Sequence, residues 1–398
     1  MRAVVYRGVN DLRLETVPVP RLGANELLVK VAVCGVCPTD IKKIHYGIVP
    51  PPRIFGHETA GTIVKLGAGV SRLGFGFKLG DRVALHHHVP CLDCHFCRHR
   101  AFAQCATYQR TGITAGFEPA GGGYAEYVRV MSFVLPGVVK IPAKNSFAEG
   151  AMLEPVNTVL KAIKRLNLLS GDTVLVVGQG PIGLMFTRLL KIAGMKVLAT
   201  DLLESRLKLA RKFGARWTLL AQSDAGNQEA AVRPRPSALR PPASGFDAAI
   251  IAVPSDAAVQ QALQLVRGGG QVLLFAHTKR SGSAAGNQKP ETRSQKLEGR
   301  TLPAAPGLLD FASICVDEKD LIGSYSSDFT LQREVARLVF SRQLDVRDLI
   351  THTFSLAETA AAIQLASRPT ANSLKILVNV ADGQELGRAY LSVRIVSS

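Results

Sequence analysis

The stretch Thr173–Asp201, TVLVVGQGPIGLMFTRLLKIAGMKVLATD, constrains this chain more than any other. Val174–Val177 run without polar interruption into Gly178-x-Gly180-x-x-Gly183, a helical pattern follows, and KVLATD supplies a second apolar strand. An unbroken apolar strand is one covered on both faces, so the segment predicts a βαβ unit of a parallel sheet. In that context the glycines have separate tasks. Gly178 permits the tight turn, Gly180 lets the backbone approach a pyrophosphate, and Gly183 lets the helix pack close to the strand. The helix opens at Pro181 and Ile182, and its N-terminal N–H groups face the phosphates. Asp201 ends the second strand, eighteen residues after Gly183. A carboxylate there accepts hydrogen bonds from the adenosine ribose hydroxyls and repels a 2′-phosphate, which predicts NAD rather than NADP. Arg206, on the following helix, is placed to approach the adenine edge.

Around this unit the pattern changes. Residues 1 to about 150 read as short strands broken by Gly and Pro, which predicts a barrel-like antiparallel domain. The opening MRAVVYRGVNDLRLE alternates like an edge strand and lacks the apolar core of a signal peptide. EPVNTVLKAIKRLNLL has helical spacing and leads into the βαβ unit. FDAAIIAV and GGQVLLFAH read as further strands of the same sheet. The predicted organisation is 1–155, 156–325 and 326–398, the last returning to the first. Segments 221–244 and 278–308, rich in Pro, Ser, Ala, Gly and Arg, are predicted insertions looping from the sheet.

At 398 residues, two domains are the natural expectation. The net charge of +17 raises the question of nucleic acid. Yet eleven basic and three acidic residues lie in 161–216, and six basic against two acidic in 279–300, so the excess is spread over several elements. A dispersed basic surface attracts polyanions weakly and without sequence preference, and no specific nucleic acid is expected. No apolar run is long enough to span a membrane. The expected setting is the cytoplasm.

Seven cysteines are present, and close spacing in a cytosolic chain reads as metal binding rather than a disulfide framework. Cys91, Cys94, Cys97 and Cys105 are spaced by three, three and eight. Four thiolates so placed can surround one zinc tetrahedrally, leaving no open position. Zinc and four thiolates carry net −2, a poor grip for phosphate despite nearby Arg98 and Arg100. His86, His87 and His88 alternate along a strand and are assigned no metal role. The predicted lobe runs over 86–110.

A second set is scattered: Cys34 and Cys37 in CGVCPTD, His57 and Glu58 in FGHETAG, and Glu154 in MLEPVN. Spacing alone leaves three readings open. Cys34-x-x-Cys37 is compatible with a redox dithiol. A cysteine, a histidine and a carboxylate also make a zinc set with a fourth position open to substrate. His57 is equally compatible with a satisfied core histidine.

GVCPTD, then GHETAG and GDRV, a four-cysteine lobe, GGGYAEY and a strand–GxGxxG–helix follow one another as in the zinc-dependent medium-chain dehydrogenases, which this chain resembles from residue 1 to about 380. The resemblance implies a GroES-like β-barrel catalytic domain, completed by the C-terminal segment, and a Rossmann domain carrying NAD. It implies two zinc ions per chain: a structural one in the four-cysteine lobe and a catalytic one held by Cys37, His57 and a carboxylate. Cys34 is then a packed core thiol. The Glu154-Pro155 pair resembles the polyol and threonine dehydrogenase branch, where the matching glutamate bonds zinc directly or through water. Thr39 matches the hydroxyl that contacts the alcohol oxygen, and Asp40 is placed to fix geometry around the ligands. Many members carry a relay histidine where this chain has Lys42, which leaves Lys42, His45 or water to complete the relay. The implied activity is hydride transfer from a secondary alcohol, a polyol or sugar alcohol, to NAD. L-threonine is the alternative substrate. A non-catalytic zinc-stabilised NAD- or RNA-binding module, and a redox sensor using Cys34 and Cys37, are the alternatives from other classes. A homodimer or homotetramer is expected on the same resemblance.

Overall fold

The computed structural model describes residues 1–86, 89–110, 121–223, 230–231, 244–276 and 311–381. The chain divides into two compact units, Met1–Lys161 with Ser326–Ser398, and Ala162–Tyr325.

The second unit is built on six parallel strands. Their spatial order is Trp217–Leu220, Lys196–Asp201, Thr173–Val177, Phe246–Ile251, Val266–Leu274, Asp320–Gly323. Counted along the chain this is the order 3-2-1-4-5-6 of a Rossmann fold, with the direction of winding reversing between Thr173–Val177 and Phe246–Ile251. Val174, Leu175, Val176 and Val177 are all buried, as their lack of alternation requires. The helices Pro181–Ile192, Glu204–Phe213 and Asp256–Leu265 supply the first, second and fourth of the connections between successive strands. Of the two predicted insertions, 221–244 is described at 221–223, 230–231 and 244, and Gln222–Ser223 pairs antiparallel with Ala230–Ala231. The segment 278–308 lies outside the described residues, as do His87 and His88.

The first unit carries the GroES-like sheet. Leu27–Gly35 is its hub, antiparallel to Glu58–Leu66, to Tyr127–Val130 and to Lys375–Asn379. Arg82–Leu85 and Val139–Lys140 extend the sheet on one side. Ile350–Ser355 extends it on the other, parallel to Lys375–Asn379. A strand from near the C-terminal end of the described chain therefore completes a sheet begun by residue 27. Hub residues Leu27, Val29 and Val31 join Ile63, Val83 and Val128 in one apolar core.

The N-terminus differs from expectation. Arg2–Gly8 and Asp11–Thr16 form a hairpin turned at Asn10, whose φ is +58°. Ala3, Val4, Val5 and Tyr6 are buried in succession rather than alternately. All four belong to the unit's main apolar core, so both faces of the strand are covered and alternation has nothing to report. Nor is the strand an edge: Val4 donates to the Tyr124 carbonyl at 2.8 Å and Tyr6 to that of Arg53 at 2.7 Å.

Candidate active site and metal centres

The nucleotide fingerprint is organised around Asp201. Gly178 turns with φ +89°, and its N–H donates to the Thr200 carbonyl at 2.8 Å. The next N–H, of Gln179, donates to Asp201 Oδ2 at 2.7 Å, and that of Leu203 to Oδ1 at 2.9 Å. A Cβ on Gly183 would stand 1.8 Å from the Gly178 carbonyl oxygen, so only glycine lets the helix sit this close to the turn. A Cβ on Gly180 would meet nothing within 4 Å: that side of the turn is open. Pro181 opens the helix and Ile182 is its second residue. Each oxygen of Asp201 retains acceptor capacity for a ribose hydroxyl. Arg206 lies with its guanidinium 3.8 Å from Asp201 Oδ2, against the carboxylate. Sequence reasoning passed over Gln179, which is buried beneath the turn. Its side chain donates to the Val176 carbonyl at 3.1 Å and accepts from Thr187 Oγ1 at 3.0 Å.

In the first unit, sheet register assembles the scattered residues. Gly35 lies opposite Glu58, and Cys34 opposite Thr59. A Cβ at Gly35 would fall 1.8 Å from Glu58 Oε2, so the carboxylate occupies the space a side chain would take. Cys37 caps the helix Pro38–Tyr46. Its sulfur, a His57 ring nitrogen and a Glu58 oxygen all lie within 4.8 Å of one another. His57 Nδ1 stands 3.2 Å from Asp40 Oδ2, which fixes the ring from behind. Thr39 is half-buried at the second position of the helix.

The charges here are strongly coupled. Burial works to lower the His57 pKa, but Asp40 and Cys37 outweigh it and hold the imidazole well above its usual range. Burial likewise opposes ionisation of Asp40, and His57 overrides it to keep that carboxyl below its usual range. Glu154 is buried near the cluster without joining the group of mutual ligand distances. Burial pushes its carboxyl up to about 7, with His57 pulling down and Glu58 pushing further up. A half-buried thiol, a buried imidazole and a buried carboxyl whose ligand atoms stand this close are a set whose charges a divalent cation would satisfy.

Sequence reasoning missed Lys375. Its ammonium pairs with Glu58 Oε2 and donates to the Val36 carbonyl at 2.9 Å. Burial opposes that charge, yet Glu58 and Cys37 hold the pKa above its usual range. The only available signal was a lone lysine inside the apolar strand SLKILVNV.

The two relay candidates separate. His45 hydrogen-bonds Asn10 of the N-terminal hairpin. Lys42 is half-buried; desolvation lowers its pKa while Cys37 acts to raise it, which puts the ammonium within electrostatic reach of the metal-type cluster. Cys34 is fully buried, 3.5 Å from Thr59 Oγ1, and burial pushes its thiol up to about 12.

The four-cysteine lobe passes a geometric test for zinc. Cys91–Cys97, Cys94–Cys97 and Cys91–Cys105 have Sγ separations of 3.8, 3.5 and 3.6 Å. A tetrahedron with Zn–S bonds of about 2.3 Å has edges of about 3.8 Å. The thiols are not equivalent without a cation. Burial drives Cys97 up to about 12; on Cys105 burial is outweighed by N–H groups of Cys91 and Tyr108, which bring it down to about 6. His86 is buried at the lobe's entrance and belongs to neither metal-type group.

Comparison with known proteins agrees with this architecture. Residues 23–143 match the alcohol dehydrogenase GroES-like domain and residues 181–336 the zinc-binding dehydrogenase family. The chain belongs to the zinc-binding, medium-chain dehydrogenases. Among its relatives, D-arabinitol dehydrogenase 1 of Uromyces fabae is 30% identical over 95% of this chain and 97% of its own. Sorbitol dehydrogenase of Bombyx mori is 29% identical over 95% and 98%. A zinc-binding dehydrogenase of Sinorhizobium meliloti 1021, solved bound to NADP, superimposes with a TM-score of 0.75 at 25% identity, covering 95% of this chain and 99% of that one. Among the described residues, no helix is long and apolar enough to cross a membrane.

Proposed function

We propose that the chain is an NAD-dependent zinc dehydrogenase that oxidises a secondary hydroxyl of a polyol or sugar alcohol. The observation that carries this reading is the meeting of Cys37, His57 and Glu58 ligand atoms within 4.8 Å, beside a buried Glu154. The names of the relatives, sorbitol and D-arabinitol dehydrogenases, favour a polyol over L-threonine. A non-catalytic NAD- or RNA-binding module needs neither this cluster nor Thr39 beside it. A Cys34–Cys37 dithiol is disfavoured by the burial that holds the Cys34 proton.

Zinc held by Cys37, His57 and Glu58, with Glu154 as direct or water-bridged partner, supplies a Lewis acid that makes an alcohol hydroxyl more acidic. NAD supplies the hydride acceptor, bound at Gly178, Gly180, Pro181, Ile182, Gly183 and Asp201. The chain's own residues do the rest. Asp40 aims the His57 ring, Lys375 balances Glu58, and Thr39 takes the substrate proton. Of the two candidates for completing the relay, Lys42, which feels the charge of Cys37, is favoured, since His45 is engaged with Asn10. Asp201 favours NAD by repelling a 2′-phosphate.

A second copy of this chain is the expected partner. The strand Asp320–Gly323 ends the parallel sheet among the described residues, and Leu321, Phe311 and Val316 are exposed around it. An apolar sheet edge of this kind is commonly covered by pairing. The thiolate-rich lobe suits a reducing compartment, and we place the enzyme in the cytoplasm.

The test is a panel of polyols, simple secondary alcohols and L-threonine, assayed for reduction of NAD and of NADP. Turnover of a polyol with NAD is expected. Turnover of L-threonine alone, or of nothing, overturns the reading.

A further inference from the structure

The four-cysteine lobe closes its ligands off from substrate, which leaves open what it holds in place. Its small core consists of Cys97, Phe102, Ala103, Cys105 and Tyr108, and among the described residues Phe329 packs against it from outside the lobe. The Phe102 and Phe329 rings stand 5.6 Å apart, and the Tyr108 hydroxyl hydrogen-bonds Ser326. Ser326 is the first residue after the chain leaves the nucleotide-binding unit. The lobe therefore grips the returning segment at its start.

Two residues further, the same segment is gripped from another side. Asn157, wholly buried on the helix Leu153–Ile163, donates to the Asp328 carbonyl and to Gln332 Oε1, both at 2.9 Å. Its own side-chain oxygen accepts from the Asp328 N–H at 2.8 Å. The Asp328 side chain meanwhile caps the turn Phe329–Leu331. Asn157 lies four residues before the point where the chain enters the other unit, after Lys161. The two crossings of the chain are thus tied together within the first unit. Glu154 lies three residues before Asn157, on the same helical face.

We infer that Asn157 is a positioning residue for Glu154, and that the four-cysteine lobe steadies it through Ser326, Asp328 and Phe329. Lobe and metal-site carboxylate form one mechanical chain, so disturbance at the lobe is felt at the chemistry. The inference rests on the reading of Glu154 as a metal-site group, and the experiment separates the two.

Steady-state kinetics, zinc content and amide exchange are measured for E154Q, N157L, Y108F and the N157L/Y108F double variant. N157L, close in size to asparagine, is expected to lower kcat about tenfold by leaving the Asp328 N–H and carbonyl and the buried Gln332 Oε1 without its hydrogen bonds. The KM for NAD stays within about twofold, zinc stays at the wild-type level, and amides of 326–332 exchange faster. Y108F shifts the same amides and lowers kcat less. In the double variant the losses do not multiply, because both act on one path. Should N157L fail to fold, F329A replaces it with the same expectations. A normal kcat in N157L, or losses that multiply, overturns the inference while a defective E154Q leaves the Glu154 reading standing. A normal kcat in E154Q overturns that reading and the inference with it.

Discussion

Lys375→Met isolates the ion pair that sequence spacing could not reveal. The Lys375 and Glu58 side chains are 7% and 2% exposed, so solvent does little to screen the pair. Removing the ammonium leaves a buried carboxylate uncompensated, a loss of about 3–5 kcal/mol. Protonation sets a ceiling: holding an ordinary carboxyl neutral at pH 7 costs about 4 kcal/mol. Loss of the hydrogen bond to the Val36 carbonyl adds about 1 kcal/mol. In zinc-loaded protein the metal provides the missing countercharge, and only that smaller contribution is expected. For a unit of this size each kcal/mol moves Tm by about 2–4 °C. Thermal unfolding should therefore fall by about 8–20 °C in zinc-free Lys375→Met, and by only a few degrees once zinc is restored. Equal losses with and without zinc would refute the argument that Glu58 shares one negative charge between lysine and metal.

Other outcomes follow from the same geometry. Asp201→Ala removes the group that repels a 2′-phosphate and releases Arg206 beside it, so kcat/KM with NADP relative to NAD should rise about tenfold or more; an unchanged ratio means the strand end does not select the cofactor. Glu154, with its carboxyl pushed up to about 7 from 4.5, holds a proton in zinc-free native protein that the unfolded chain has released. Its contribution therefore makes stability fall as pH rises through that window, by about 3 kcal/mol. Urea midpoints of the zinc-free protein at about pH 5 and about pH 8 should show this slope, and Glu154→Gln should flatten it. Cys91→Ser opens the closed thiolate set; metal analysis should find one zinc fewer per chain, with Tm lowered, and retention of the full zinc content would contradict the tetrahedral assignment.

The parts that were legible in the sequence are those whose physics is local. An unbroken apolar strand, three glycines and a terminal Asp201 announce the parallel sheet within thirty residues, and four cysteines spaced by three, three and eight announce a closed metal lobe. What was not legible depends on residues remote in the chain. Lys375 reads as one more strand residue until the register of Lys375–Asn379 against Leu27–Gly35 brings it to Glu58. Asn157 reads as a polar residue on an amphipathic helix until Asp328 arrives from the far crossing. His45 looked as suitable a relay as Lys42 because their helix spacing says nothing of Asn10, thirty-five residues away. The N-terminal strand misled for a similar reason: it reads as an edge until the remote Tyr124 and Arg53 pair with its second side.

The most direct test of the central claim is NADH formation from a polyol by protein of known zinc content, before and after a chelator removes the more accessible metal. Two zinc ions per chain are expected, with turnover lost as the first leaves and regained on adding zinc. A single zinc confined to the four-cysteine lobe, or turnover indifferent to the chelator, would contradict a catalytic metal at Cys37, His57 and Glu58.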